Sequence, residues 1–187
     1  MGVRLFVTAD RLSMSASGTF DAVIGKSQFT AVGGGVEVTN LVSRVFARVA
    51  FSTTSAVGER AVIINNRPFP LGIPLELKMS PVEVAAGWRQ RLDRRGRFVG
   101  YGGAGWLGVG YQETSEFGSG DDNTDERFSG YLVFGGVDVD LWKGVFAGVE
   151  AQYRTVPDAI GDGGISRQLG ETDLGGSVLR VMFGFRR

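Results

Sequence analysis

The chain contains no cysteine and no histidine. Without cysteine it can form neither a disulfide framework nor a thiolate metal or redox site. Without histidine it lacks the commonest general base and the commonest metal ligand, so we expect no metal site, no cofactor and no enzymatic activity. Lysine is scarce as well: the chain has three, Lys26, Lys78 and Lys143.

Long apolar runs are also missing. No segment approaches the roughly 18 consecutive apolar residues that a membrane-spanning helix needs. The first ten residues alternate in polarity and hold too short an apolar run for a secretory signal. Two expectations therefore stay open: the protein remains in the cytoplasm, or this is a mature exported chain whose signal has been replaced by a start methionine.

Charge and composition narrow the class of protein. Twenty basic and 20 acidic side chains cancel, so the chain lacks the positive field that nucleic-acid binders use. The 30 glycines among 187 residues are the abundant component, at about twice the share found in ordinary domains. Five prolines without a three-residue glycine period exclude collagen, and 43% apolar residues exclude general disorder. We expect one domain over residues 1–187.

Alternation between apolar and mixed positions is the dominant pattern, and it predicts eight β-strands. The alternating segments are residues 3–10, 30–39, 41–53, 82–90, 99–111, 130–141, 145–154 and 178–186. Short and long connections alternate between them, so all short turns and both termini lie at one end of an antiparallel meander. Because no residues remain to cover the sheet edges, we predict an all-β fold: an eight-stranded antiparallel up-and-down barrel.

The composition of the two strand faces predicts which one points outward. The mixed face is rich in glycine and alanine and includes Phe46, Trp106, Phe134 and Phe146, as expected inside a narrow barrel. A water-exposed face would carry more lysine and glutamate. We therefore expect the apolar face to contact lipid, as in a transmembrane barrel. The alternative is a soluble or periplasmic lipocalin-like barrel that binds an apolar ligand inside.

Aromatic residues on the apolar face predict two girdles. Tyr101 and Tyr111 are ten residues apart, which corresponds to about 25 Å along the axis of a tilted barrel, the height of an outer-membrane apolar band. The girdle near the short turns comprises Trp88, Tyr101, Phe183 and Phe185, and the girdle near the long loops comprises Phe51, Tyr111, Tyr131 and Tyr153.

The fourth segment breaks the alternation. Leu75, Leu77 and Met79 share one face, but past Pro81 the apolar positions move by one residue to begin at Val82. Proline cannot donate to a ladder, so we expect either a bulge near Ser80 and Pro81 or a strand that begins only after them.

Charged residues on the mixed face predict an ionic interior. We expect Arg180 to pair with Glu150 on the neighbouring strand, and Arg48 to join them through the lumen, because isolated buried charges are costly. The predicted network comprises Glu37, Arg44, Arg48, Glu83, Arg89, Asp138, Asp140, Glu150, Arg154 and Arg180. The alternative is that these charges line a small conducting path for solutes.

The two ends of the barrel differ in charge. The short-turn end holds Arg4, Arg89, Arg91, Arg94, Arg95, Arg97, Lys143, Arg186 and Arg187. The long loops hold Glu113, Glu116, Asp121, Asp122, Asp125, Glu126, Asp158, Asp162, Glu171 and Asp173. Because the basic cluster lacks interleaved aromatic residues, we expect solvated turns near anionic lipid headgroups and no nucleic-acid partner.

Two motif matches do not carry a function. Gly100, Gly102 and Gly105 have dinucleotide-loop spacing, but Trp106 continues a strand and opens no helix. The spacing of Asp121, Asn123 and Asp125 opens like a calcium loop. Glu126 then occupies the required glycine position and Leu132 that of the closing glutamate, so we expect a solvated acidic loop.

Three segments carry a family resemblance: Phe98-Val-Gly-Tyr101-Gly-Gly-Ala-Gly-Trp106, the stretch from Pro81-Val-Glu-Val to Trp88, and the C-terminal Val181-Met-Phe183-Gly-Phe185. With them the chain resembles the eight-stranded outer-membrane barrels of Gram-negative bacteria, the OmpA-, OmpX- and Opa-like group. It departs from that pattern by adding Arg186 and Arg187 after the terminal aromatic residue.

The resemblance implies a monomer in the outer membrane, with acidic loops outside and basic turns in the periplasm. It also implies a membrane anchor or surface-interaction protein that contacts outer-membrane lipid, lipopolysaccharide, host or other cells. Enzymes among small outer-membrane barrels depend on histidine, which is absent here.

Overall fold

Eight antiparallel strands form a closed barrel in which the first strand pairs with the last. This computed structural model describes residues 1–64, 67–115, 124–161 and 164–187. The strands are β1 (Gly2–Met14), β2 (Gln28–Thr39), β3 (Val45–Ile64), β4 (Arg67–Arg91), β5 (Phe98–Ser115), β6 (Thr124–Trp142), β7 (Val145–Thr155) and β8 (Gly176–Arg186). Two short helices, α1 (Ser17–Ile24) and α2 (Gly164–Leu169), lie in the β1–β2 and β7–β8 connections. The predicted up-and-down barrel is confirmed.

Three tight turns close one end of the barrel, between β2 and β3, β4 and β5, and β6 and β7. Gly96 and Gly144 have φ values of 68° and 78° in two of these turns, a conformation that glycine adopts without a steric penalty. Both chain termini lie at this short-turn end, since Val3 N donates to Arg187 O at 3.1 Å.

At the opposite, long-loop end, β3 and β4 continue as a two-stranded ribbon well past their neighbours. The sequence predicted a long connection between the alternating segments 41–53 and 82–90, but the described residues of that connection pair as strands, from Thr54 with Met79 to Ile64 with Arg67. The prolines of this stretch argued against a strand. They are tolerated because β4 pairs with β5 only from Leu75 onward, so the proline-rich part of β4 is an edge strand.

Both alternatives predicted for the region of Ser80 and Pro81, a bulge or a strand that begins only after them, are wrong. The β4–β5 ladder runs without interruption through Ser80 paired with Gly110 and Pro81 paired with Val109. Leu77, Met79, Pro81 and Glu83 are all buried in the same inward phase. The sequence pattern changes at Pro81 because the polarity of the two faces is exchanged, while the strand keeps its direction and register.

The exchange of polarity divides the barrel into two zones. Below Pro81, toward the short turns, the outward positions are apolar and exposed; this outward apolar band includes Val49, Val84, Val133, Val149 and Val181. Just above Pro81 the outward positions include the polar residues Ser55, Glu76, Lys78, Gln112 and Arg127. There the apolar side chains point inward instead, among them Leu75, Leu77, Met79 and Val109.

The predicted orientation of β5 is wrong. Tyr101 and Tyr111 are 7% and 9% exposed and point into the barrel, whereas Trp106, expected inside, is 44% exposed on the outer face. The prediction placed the more apolar face of each strand outward. In β5 that face packs inward: the Tyr101 ring centroid lies 6.2 Å from that of Phe46 and 6.4 Å from that of Phe134.

An apolar cap covers the interior at the long-loop end. Phe20 of α1 packs edge-on against Phe29 of β2, with ring centroids 5.4 Å apart. Val156 and Leu174 of the β7–β8 connection are buried in the same core. Within the described part of the chain, neither helix is long and apolar enough to cross a membrane.

Candidate functional site: the barrel interior and its outer surface

The interior near the short turns holds four charged side chains, which we call the lower layer: Arg4, Glu37, Arg89 and Asp138. Arg4 donates to Glu37 Oε1 at 2.8 Å and to Asp138 Oδ2 at 2.7 Å. Arg89 donates to the same Glu37 oxygen at 2.7 Å and also to Asp138 Oδ2. Two arginines and two carboxylates, supplied by β1, β2, β4 and β6, therefore form an electrically neutral ring across the bore.

Three aromatic rings lie above the lower layer and form the aromatic layer: Phe46, Tyr101 and Phe134. Their centroids are 6.1 to 6.4 Å apart. The Arg89 guanidinium carbon lies 4.8 Å from the Tyr101 centroid, and that of Arg48 lies 4.2 Å from the Phe134 centroid. The rings thus contact arginines on both sides, which favours cation–π attraction in this desolvated space.

Six charges form the upper layer: Asp10, Arg48, Glu83, Glu150, Arg154 and Arg180. Arg180 binds Asp10 at 2.9 and 2.7 Å and Glu83 at 2.9 and 2.7 Å. Arg48 makes a bidentate contact with Glu150 at 2.6 and 3.1 Å. Planar guanidinium groups suit such paired contacts, which are stronger than single neutral hydrogen bonds.

Arg154 and Gln152 connect the members of the upper layer. Arg154 Nη2 lies 2.5 Å from Glu83 Oε1, and its Nε donates to Gln152 Oε1 at 2.8 Å. Gln152 in turn donates to Glu150 Oε1 at 2.6 Å. Three arginines balance three carboxylates, so this layer is also neutral, and each of its charged side chains is buried.

The structure brings most of the predicted interior charges together but changes their pairing. Arg180 lies 3.6 Å from Glu150, the expected partner, and closer to Asp10 and Glu83. Arg48 is the main partner of Glu150. Glu37, Glu83, Arg89, Asp138 and Arg154 are also found in the two layers.

Two predicted network members lie elsewhere. Arg44 is exposed in the β2–β3 turn, with its guanidinium carbon 6.0 Å from the Trp88 ring centroid. It was expected inside because the alternation was read through residues 41–44, whereas β3 begins only at Val45. Asp140 lies at the short-turn rim, two residues before the end of β6, and pairs with Arg186 at 2.8 Å.

Arg4, Asp10 and Gln152 were missed as members of the network. All three lie on the mixed face, so the alternation could have identified Arg4 and Asp10 as inward residues of β1. What the sequence lacked was the stagger between strands: Asp10 pairs with Arg180 in the β1–β8 register. Arg4 was instead assigned to the basic turns.

Several loop acids have structural partners. Glu171 accepts from Gly18 N at 3.0 Å, Thr19 N at 2.7 Å and the Thr19 hydroxyl at 2.6 Å, which caps the start of α1. Asp173 accepts from Val156 N and Gly175 N, each at 2.7 Å.

The other acidic residues of the long loops differ in their surroundings. Glu113 accepts from the Tyr111 hydroxyl and Asp125 from Gln112, while Glu126 and Asp158 are exposed. Glu116, Asp121, Asp122 and Asp162, and with them most of the calcium-like spacing, lie outside the described residues.

The outer surface carries aromatic residues at both edges of the outward apolar band. Of the predicted girdle residues, Phe51, Trp88, Tyr131, Tyr153, Phe183 and Phe185 point outward and are exposed. Trp106 takes a place beside Tyr131, its register partner. On β6, Tyr131 and the exposed Leu141 are ten residues apart, which again corresponds to about 25 Å along a tilted barrel.

Comparison with known proteins identifies the fold. No family model matches the chain, and no curated protein matches it significantly. Among solved structures, it is similar to Ail, the attachment invasion locus protein of Yersinia pestis, with a TM-score of 0.55 and 10% identity over 100% of this chain and 97% of Ail.

Two further structures have similar values. The N-terminal β-barrel domain of Pseudomonas aeruginosa OprF has a TM-score of 0.54 and 11% identity over 100% of this chain and 97% of that chain. Neisserial surface protein A has a TM-score of 0.55 and 11% identity over 99% and 94%. The chain therefore has the fold of the eight-stranded outer-membrane β-barrels, as the sequence resemblance implied.

Proposed function

We propose that this protein is a monomeric barrel of a bacterial outer membrane that anchors a rigid platform for contacts at the cell surface. The exchange of polarity along the strands carries the proposal. A soluble barrel would bury its apolar face throughout, whereas here apolar side chains point outward over a height that matches a membrane. Just above that height the same strands turn polar residues outward and apolar residues inward, as expected for a part that stands in water.

The platform comprises the upper strand ends, α1, α2 and the β3–β4 ribbon. The ribbon presents Val57, Ile64, Phe69 and Leu71, which are 46 to 73% exposed. Exposed Val62 pairs with Phe69 across the ribbon, so apolar residues of both strands adjoin. Such exposed apolar patches are typical of interaction sites. One similar structure is of a protein named for attachment and invasion, which supports a surface role for this chain. The acidic loop residues would add a polar rim around this apolar surface.

We further propose that the interior is a structural plug. Two neutral ionic layers with an aromatic layer between them leave little space for a solute path, and an eight-stranded barrel is just wide enough for side chains to fill. The same contacts argue against an interior apolar ligand, since the bore is lined by paired charges at two levels. A solute channel and a lipocalin-like binder are therefore the less favoured functions.

Cysteine labelling tests the location and orientation, because the native chain has no cysteine that would react. We expect Phe69→Cys in the ribbon to react with a membrane-impermeant maleimide on intact cells, and Arg95→Cys in a short turn to react only after the outer membrane is opened. Val149→Cys, in the outward apolar band, should stay unreactive until detergent is added. Equal labelling of all three on intact cells would exclude the proposed arrangement.

Adhesion assays test the surface role. We expect cells that express the native protein to bind to alkyl-coated glass more strongly than cells that express the variant Ile64→Ser/Phe69→Ser/Leu71→Ser, at equal surface amounts of both proteins. The matched control is the outward triple variant Ser55→Thr/Glu76→Gln/Thr114→Ser, which changes polar residues of the platform. Equal binding by all three strains would contradict the proposal that the ribbon makes contacts at the cell surface.

A further inference from the structure

A concave region lies on the outer wall of the barrel where β4, β5 and β6 leave the outward apolar band. We call it the headgroup groove; its volume is about 710 Å³. The cleft is lined by Lys78, Ser80, Val82, Trp106, Gly108, Gly110, Gln112, Asp125, Arg127 and Ser129. Its size is that of an ordinary small-ligand site.

The strand register arranges these residues in rows. Reading from β4 across β5 to β6, Lys78, Gln112 and Asp125 form the top row. Ser80, Gly110 and Arg127 form the next row, and Val82, Gly108 and Ser129 the third. The middle strand therefore contributes two glycines between strands that carry side chains, which produces a trough one strand wide.

The floor and lower wall of the trough are defined by Gly110 and Trp106. A Cβ built on Gly110 would find its nearest neighbour, Ser80 O, at 3.7 Å, so the space above that glycine is open. A Cβ on Gly108 would lie 2.5 Å from Trp106 Cη2, so the indole ring folds upward over Gly108. Trp106 thus closes the lower end of the trough at the level of Tyr131, its register partner in the aromatic edge.

The two sides of the trough carry positive charge at the height of lipid headgroups. Lys78 and Arg127 are exposed, and within the described ranges neither forms a salt bridge with a carboxylate. Asp125, the acidic residue of the cleft, already accepts from Gln112 Nε2 at 3.2 Å. Arg127 is four residues above Tyr131 on β6, or about 10 Å above the aromatic edge of a barrel with ordinary tilt.

We propose that this groove binds the phosphate-bearing headgroup of an outer-leaflet lipid. A phosphate between Lys78 and Arg127 would receive a point charge from one side and a guanidinium fork from the other, which is the chemistry of phosphate recognition. The flat floor at Gly110 admits a bulky headgroup, and the Trp106 ring gives it an apolar wall. This inference rests on the proposed function, because it requires the barrel to be embedded in lipid.

The test measures binding of diphosphoryl lipid A to the refolded barrel in detergent. Trp88 and Trp142, both exposed near the short turns, are replaced by phenylalanine so that Trp106 is the fluorescent reporter. We expect saturable binding to this parent protein, weaker binding of the monophosphoryl lipid, and no displacement by inorganic phosphate. Full displacement by inorganic phosphate would overturn the assignment to a lipid.

Matched variants locate the site. We expect Lys78→Gln/Arg127→Gln and, separately, Gly110→Leu to weaken binding by about tenfold or more, through lost charge and a filled trough. The charge control is Arg11→Gln on β1, which lies across the barrel from β5. The steric control is Gly135→Leu, an outward glycine of β6 whose added Cβ would also lie 3.7 Å from its nearest neighbour.

The outcomes separate the groove from the barrel's membrane role. All variants are first checked for heat-dependent migration in gel electrophoresis, which shows that the barrel has folded in detergent. Folded test variants that bind as tightly as Arg11→Gln and Gly135→Leu would overturn the groove alone. A native chain that stays monodisperse in buffer without detergent would overturn the proposed function and this inference together.

Discussion

Every arginine of the two ionic layers has at least one carboxylate partner within 2.8 Å. Glu83 accepts from Arg180 through both of its carboxylate oxygens and also from Arg154. Such an arrangement is a weak source of net stability, since desolvation offsets much of the attraction. Loss of one partner is strongly destabilising, because it leaves an uncompensated charge inside the barrel.

Replacement of Glu83 by glutamine measures that cost. The change leaves three arginines against two carboxylates in the upper layer, and we expect the free energy of unfolding to fall by about 3–5 kcal/mol. Urea unfolding in lipid vesicles provides the measurement. Glu76→Gln is the matched control, since Glu76 is exposed on the same strand and its loss should change stability by about 0.5 kcal/mol or less. Equal effects of the two variants would contradict the network.

For single residues, the sequence predicted that the interior is charged but not which charged side chains pair with each other. The mixed face correctly marked Arg48, Glu83, Glu150 and Arg180 as inward residues. Partners across a lumen depend on stagger and on side-chain reach, neither of which alternation contains. The sequence therefore predicted Arg180 with Glu150, neighbours in the β7–β8 register, while Arg180 reaches Asp10 and Glu83 instead.

At the scale of the strand, the informative feature is that one strand serves two environments. In β3, outward Val49 and Phe51 are apolar, whereas outward Thr53 and Ser55 further along are polar. A single strand thus has opposite polarity on the same face at its two ends. The boundary coincides with the proposed edge of the membrane, and in β4 the same boundary produced the misleading change of phase at Pro81.

Arginine substitutions along β3 test the boundary. We expect Val49→Arg to reduce the free energy of unfolding in vesicles by about 2–4 kcal/mol, because the charge would face hydrocarbon. Ser55→Arg, six residues further on the same face, should change it by about 0.5 kcal/mol or less. Folding yields and urea midpoints in vesicles provide both values. Similar losses at the two positions would show that β3 has no such boundary.

The faces of most strands could be predicted from alternation, and β5 could not. Its outward positions from Gly100 to Gly110 are glycine and alanine apart from Trp106, so hydrophobicity alone pointed the wrong face toward lipid. The inward tyrosine of the aromatic layer, Tyr101, is needed to complete the packing between Phe46 and Phe134. That requirement comes from neighbouring strands and is invisible in the segment itself.

For the whole molecule, the decisive property is that each ionic layer in the bore is electrically neutral. The two ends of the bore differ, because one opens into a cavity and the other is covered by an apolar cap. The lower layer is bounded at the short-turn mouth by a cavity of about 790 Å³ with Arg44, Arg91 and Arg186 in its lining. The upper layer is bounded by the apolar cap beneath α1 and the β7–β8 connection. A solute would have to pass two ionic layers, an aromatic layer and this cap in succession.

Planar-bilayer recordings test the closed bore. We expect the native protein to give no conductance steps, because the paired charges and rings would have to separate before ions could pass. A reconstituted eight-stranded barrel of this kind should therefore leave the bilayer at its baseline conductance. The control for insertion is protease accessibility of the ribbon in the same membranes. Regular steps from inserted native protein would favour the channel.

The pairing of Asp10 with Arg180 joins the first strand of the chain to the last. These two charges can meet only when the ring is shut, so in a nascent or half-open barrel they stay hydrated at opposite borders of the sheet. We therefore expect Asp10 and Arg180 to lose their water and pair only when β8 docks on β1 and closes the barrel.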